Sequence, residues 1–163
     1  MSDEIIFNDT AHGFIIAKEA GVHFAQDYDT CISREVDGEL IGGCVYNGYN
    51  PGGSICVHFA GFDTHWMTRE LIWVCFDYPF NQLGVKKMFA HVPETNELAV
   101  AMDLRFGFMR PLRIKDVYED CDLILMEMYK HECKWLRIIP KKYQRNLGGP
   151  HGRQEQSTTS TGL

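Results

Sequence analysis

Residues 92–108 read Val92-Pro-Glu-Thr-Asn96-Glu-Leu-Ala99-Val-Ala-Met-Asp103-Leu-Arg-Phe106-Gly107-Phe108. Pro93 closes the strand-like run Lys87 to Val92, because proline has no backbone N–H to give to a ladder. Thr95 or Asn96 stands where a helix needs a side-chain acceptor for its first amides, which predicts a helix over 95–106. Gly107 supplies the left-handed residue on which that helix stops, and Phe108 follows as an anchor to the core.

Upstream, Ser54 to Phe62 is an apolar, β-branched strand. A long helix is expected from Thr64 to about Leu83, with Trp66, Leu71, Trp73, Val74, Phe76 and Phe80 on a broad apolar face. Asp63 or Thr64 is its expected cap, Gly84 its stop, and Pro79 should kink or divide it. A strand, a helix and a second strand in that order imply two parallel strands joined by a right-handed crossover.

Further out, Thr30 to Val36 and Glu39 to Tyr46 flank Asp37-Gly38, a dipeptide that favours a tight hairpin turn. Residues 47–53 read as a loop, Ile5 to Phe7 as a short strand and His12 to Ala20 as a helix ending at Gly21. Downstream, Arg113 to Tyr118 and Leu123 to Tyr129 form an expected closing hairpin, followed by a short helical piece over 131–136. This order predicts an α/β (α+β) fold, a twisted sheet with helices on both faces. The domain is expected over 1–136, with residues 137–163 as a tail whose end is rich in Gly, Ser and Thr.

Composition narrows the function. Residues 1–136 hold 11 basic and 21 acidic side chains, whereas 137–163 hold five basic and one, giving the whole chain a net charge of −6. An acidic body argues against specific nucleic-acid binding. The longest apolar run, Leu71 to Phe76, is six residues, against about 20 for a membrane helix. The acidic start Met1-Ser-Asp-Glu4 is unlike a secretory signal, so a cytoplasmic protein with free, buried thiols at its six cysteines is expected. Cys56-x-His58 and His131-x-Cys133 each bring two metal-ligand types together, but the i, i+2 spacing on a strand is not that of structural zinc, and no metal is expected.

The block Asn96-x-x-Ala99, then Gly107-Phe108 after a seven-residue gap, resembles the GNAT (GCN5-related) N-acetyltransferases. Trp66-Met-Thr-Arg-Glu-Leu71, Phe76-Asp-Tyr-Pro-Phe-Asn-Gln-Leu-Gly84 and Met128-Tyr-Lys-His-Glu-Cys-Lys-Trp135 are similar to a compact phage and prophage group of that superfamily. The resemblance implies a mostly antiparallel sheet with a splayed parallel pair, and transfer of acetyl from acetyl-CoA to an amine. It implies that Gly61, Phe62, Thr64, His65 and Asn96 bind the acetyl-CoA, the loop 61–66 meeting its pyrophosphate. His58, on the central strand, is a candidate base; a hydrogen-bonded core histidine is the other reading.

Two departures from the family stand in the sequence. Its glycine-rich pyrophosphate loop is replaced by Gly61-Phe-Asp-Thr-His-Trp66, whose Asp63 would compete for the amides that a pyrophosphate needs. Asp103 takes the place where many members carry the tyrosine that protonates the leaving thiolate, which makes it the second catalytic candidate. The alternative is a catalytically silent GNAT-fold protein of a phage virion. It would dock onto other protein chains through its tail, with Lys141, Lys142 and Arg145 as the partner-binding residues.

Overall fold

The computed structural model describes residues 1–145. The chain runs β1 (Asp3–Phe7), α1 (Thr10–Ala20), β2 (Thr30–Val36), β3 (Glu39–Asn50), β4 (Ser54–Gly61), α2 (Arg69–Asp77), β5 (Lys87–Pro93), α3 (Glu97–Phe106), β6 (Met109–Ile114), β7 (Leu123–Tyr129) and α4 (Lys141–Gln144). The seven strands form one sheet in the order β1-β2-β3-β4-β5-β7-β6. Every neighbouring pair is antiparallel except β4 and β5, which are parallel and joined through α2 as expected.

The period-2 alternation of the strands divides the sheet between two cores. On one face α1 lays Ile16 and Ala17 against Cys31, Val45 and Ala60. On the other, α2 and Phe106 of α3 pack against Tyr46, Val57, Phe59, Met88 and Met126. Gly43 makes the first packing possible: a Cβ there would meet Ile16 at 2.9 Å and the Ile32 carbonyl at 2.3 Å.

Several elements differ from their sequence expectation. Helix α2 begins at Arg69 under a Thr68 cap whose hydroxyl accepts from the Leu71 amide at 3.1 Å, so neither Asp63 nor Thr64 caps it. The Arg34 guanidinium, bound to both carboxylate oxygens of Asp3, donates to the carbonyls of His65 and Trp66 at 2.9 and 3.0 Å and fixes the preceding loop. Pro79 does divide the helix: α2 gives way to a π-helical turn over Tyr78–Gln82, where the Leu83 amide reaches back to the Tyr78 carbonyl. Strand β3 runs on through Asn50 and shortens the expected loop, and β6 starts at Met109, before the predicted 113–118. Residues 130–137 form two short 3₁₀ turns in place of the expected helix, with His131 exposed and Cys133 buried. All six cysteines are free thiols, five of them buried. No helix among the described residues is long and apolar enough to cross a membrane.

Candidate active site

The parallel ladder between β4 and β5 ends at the pair Val57 and Ala90. Strand β4 continues to Gly61 and β5 to Pro93, so the β5-facing backbone groups of residues 58–61 have no strand partner. A cleft of about 330 Å³ opens between the diverging strands. Glu19 reaches it from the α1 side, His58 and His91 from the strands, and Asn96, Met102 and Asp103 from α3. Because α1 and α3 pack on opposite faces of the sheet, the cleft is bordered by α1 on one face and by α3 on the other.

His58 is 7 % exposed and its Nε2 lies 3.2 Å from the Asn47 side-chain oxygen on β3. That oxygen only accepts, so Nε2 carries the proton and Nδ1 keeps its lone pair. Burial, reinforced by the neighbouring His91, pulls the His58 pKa down to about 4, and the ring is neutral at pH 7. His91 is half-buried and also lowered by burial, and its Nε2 lies 3.5 Å from the Cys56 thiol.

Asp103 is 5 % exposed, and burial pushes its carboxyl up to about 7. A buried carboxyl with that pKa is about half protonated at neutral pH and can donate a proton as readily as accept one. Asn96 caps α3, its side-chain oxygen accepting from the Ala99 amide at 3.2 Å, as the sequence implied, and it also lines the cleft.

Of the five residues that the resemblance assigned to acetyl-CoA, Gly61 and Asn96 line the cleft. Phe62, Thr64 and His65 lie beside it in the exposed loop before α2. In that loop the Asp63 carboxylate accepts from the His65 amide at 2.7 Å, and Thr64 contacts the His65 ring at 3.0 Å. Trp66 folds back over the strand ends: a Cβ on Gly61 would fall 2.2 Å from its ring, and one on Gly42 2.5 Å. Trp66 thereby walls one end of the cleft.

Glu19, Trp66 and His91 were missed by sequence reasoning. His91 stands in line with His58 through the parallel register, one position past Val57 and Ala90, and only that register brings them together. The basic segment is engaged in the chain itself. Lys142 pairs with Glu70 at 2.9 Å, the Tyr143 hydroxyl bonds the same carboxylate at 3.0 Å, and the Tyr143 ring stacks on Trp73 at 4.9 Å. Lys141 and Arg145 are exposed. The remainder of the expected tail, 146–163, lies outside the described residues.

A seven-stranded, mostly antiparallel sheet that splays at one parallel pair, with helices on both faces, is the fold of the GNAT acetyltransferases. Among solved structures with that fold, a variant of the spermidine/spermine N-acetyltransferase SpeG from Vibrio cholerae has a TM-score of 0.64 at 16 % identity, over 85 % of this chain and 100 % of that one. The spermidine N-acetyltransferase of the same organism, in complex with CoA and spermine, gives 0.63 at 15 %, over 80 % and 96 %. The GNAT-family acetyltransferase from Bacillus anthracis gives 0.58 at 10 %, over 81 % and 97 %. No family model and no curated protein matches the chain.

Proposed function

We propose that the protein is an acetyl-CoA-dependent N-acetyltransferase acting on an amine at the splayed strand pair. The observation that carries this is the buried Asp103 carboxyl in the same cleft as neutral His58 and His91, beside the unpaired end of β4. The pantetheine arm of acetyl-CoA is an extended chain of amides, and unpaired strand backbone is a fitting partner for it. The pocket offers no lysine or arginine that would repel a cationic amine.

In this reading the amine nitrogen attacks the thioester carbonyl, forming the N–C bond as the C–S bond breaks. The nitrogen loses a proton toward the imidazoles of His58 and His91, and Asp103 gives a proton to the leaving thiolate. Asp103 would then substitute for the tyrosine common in the superfamily. Support comes also from the structural neighbours, which include an acetyltransferase bound to CoA and spermine. The phage setting and the silent alternative rest on sequence resemblance.

The test is thiol release from acetyl-CoA in the presence of a panel of primary amines. Turnover that Asp103→Asn lowers by about 10²-fold is expected, in the range for a lost general acid. Absence of turnover with every amine, in a folded protein that also fails to bind acetyl-CoA, would favour the interaction role instead.

A further inference from the structure

The sheet ends in two edge strands, β1 and β6, and the sequence equips them differently. Along β6, Arg110 sits at φ 54°, Pro111 has no N–H to offer, and the ladder to β7 slips between Met109 and Leu112. Proline, a bulge and cationic side chains are the devices that keep an edge strand from pairing with another chain. Strand β1, Asp3-Glu-Ile-Ile-Phe7, carries neither proline nor bulge, and its register with β2 is unbroken from Asp3 to Phe7.

Hydrogen bonds at its two ends show which backbone groups of β1 are free. The Asp37 amide donates to the Ser2 carbonyl at 3.0 Å, and the Asn8 amide donates to the Cys31 carbonyl at 2.8 Å. The even-numbered residues therefore turn their peptide groups toward β2. These groups alternate along a strand, so the N–H and C=O of Asp3, Ile5 and Phe7 point outward from the edge. The same three side chains lie on the α2 face, where Ile5 packs at the margin of the core and Phe7 is 51 % exposed.

We propose that β1 is a self-association edge: two copies of this chain pair β1 antiparallel to β1 about a two-fold axis at Ile5, continuing one sheet through both molecules. This pairing is independent of the acetyl-transfer reading. The occupant is a second copy because the strand is complementary to itself. A pair centred on Ile5 sets Ile5 against Ile5 and Asp3 against Phe7 of the second copy. Only this two-fold register engages every outward residue, with about six hydrogen bonds between the strands. Glu4 then falls opposite Ile6, so no two carboxylates face each other directly. Asp3 is already neutralised by Arg34, which holds both its oxygens at 2.7 Å. Ile5 and Phe7 of both copies meet as one apolar cluster, which covers the exposed ring.

The test is sedimentation equilibrium of the full chain over a range of concentrations. One short strand is at the small end of specific interfaces, so a reversible monomer–dimer equilibrium in the micromolar range is expected. Phe7→Pro removes an outward N–H that β2 does not use, and should weaken the dimer at least tenfold at an unchanged melting temperature. If proline disturbs the fold, Phe7→Asp serves instead, by setting a carboxylate against Asp3 of the second copy. Leu112→Asp, on the guarded edge strand β6, should leave dimerisation unchanged. A natural protein that stays monomeric at every concentration, a dimer that the Phe7 substitutions leave intact, or a dimer that Leu112→Asp abolishes would each overturn the pairing.

Discussion

His58 and His91 meet edge to face across the opening of the sheet, with ring centroids 6.1 Å apart and planes at 80°. They occupy the first positions beyond the last parallel pair of β4 and β5. The strands diverge from this point, so the two rings stand at the floor of the cleft, with one edge toward the α1 side. Neither imidazole is positively charged at neutral pH, because burial lowers both. The cationic amine proposed as substrate would meet uncharged rings there instead of a like charge.

Asp103 sets a pH signature. Its folded pKa of about 7 lies above the ordinary aspartate value of 3.8, so the native state holds the proton more tightly than the unfolded chain. Its contribution to stability is full below pH 4 and is lost as the pH rises toward and through 7. Asp103→Asn removes that dependence. The variant should gain stability relative to the natural protein between pH 5 and 8, on the order of 2–4 kcal/mol by pH 8. Denaturant unfolding at several pH values measures this, and parallel curves for the two proteins would contradict it.

His58 has the opposite sign. Its folded pKa of about 4 lies below the usual 6.5, so its stability contribution is present above pH 6.5 and lost as the pH falls toward 4. NMR titration of the histidine resonances should show the His58 ring still neutral at pH 5. A His58 midpoint near the ordinary 6.5 would show that the ring is hydrated.

Much of this arrangement is legible in the sequence where local chemistry decides. Asp37 and Gly38 adopt the positive φ values, 52° and 82°, that a tight hairpin needs. Gly107 ends α3 at φ 105°, and Asn96 caps it. The start of α2 is not legible, because Asp63, Thr64 and Thr68 are equivalent caps by local rules. The choice is made by Arg34, 31 residues before His65, and by Trp66 lying over Gly42 and Gly61. Likewise β6 begins early because Arg110, at φ 54°, bulges from the ladder while its guanidinium grips Glu127 and Glu132. These are tertiary contacts, and no local window contains both partners.

Asp63 should oppose acetyl-CoA. Its carboxylate occupies the His65 amide and places a negative charge beside the expected pyrophosphate position. Asp63→Gly should tighten acetyl-CoA binding about three- to tenfold, by calorimetry at low salt. Weaker binding would mean that this carboxylate organises the loop for the ligand.

Helix α4 should be a stability element. Tyr143 stacks on Trp73 and bonds Glu70, which Lys142 also engages. An aromatic pair adds about 0.5–1.5 kcal/mol beyond its buried area. Tyr143→Ala should therefore destabilise the protein by about 1–3 kcal/mol, and Tyr143→Phe, which keeps the stack, by roughly 0.5–1.5 kcal/mol. Two substitutions with the same small effect would show that the helix is not docked in solution.

The proposed acetyl-CoA site is tested most directly by calorimetric titration of acetyl-CoA into the natural protein and into His91→Trp, whose larger side chain fills the cleft between β4 and β5. Saturable 1:1 binding in the micromolar range is expected for the natural protein, with at least a tenfold loss in the variant. No binding to the natural protein, or equal binding to both, would contradict the assignment of that cleft.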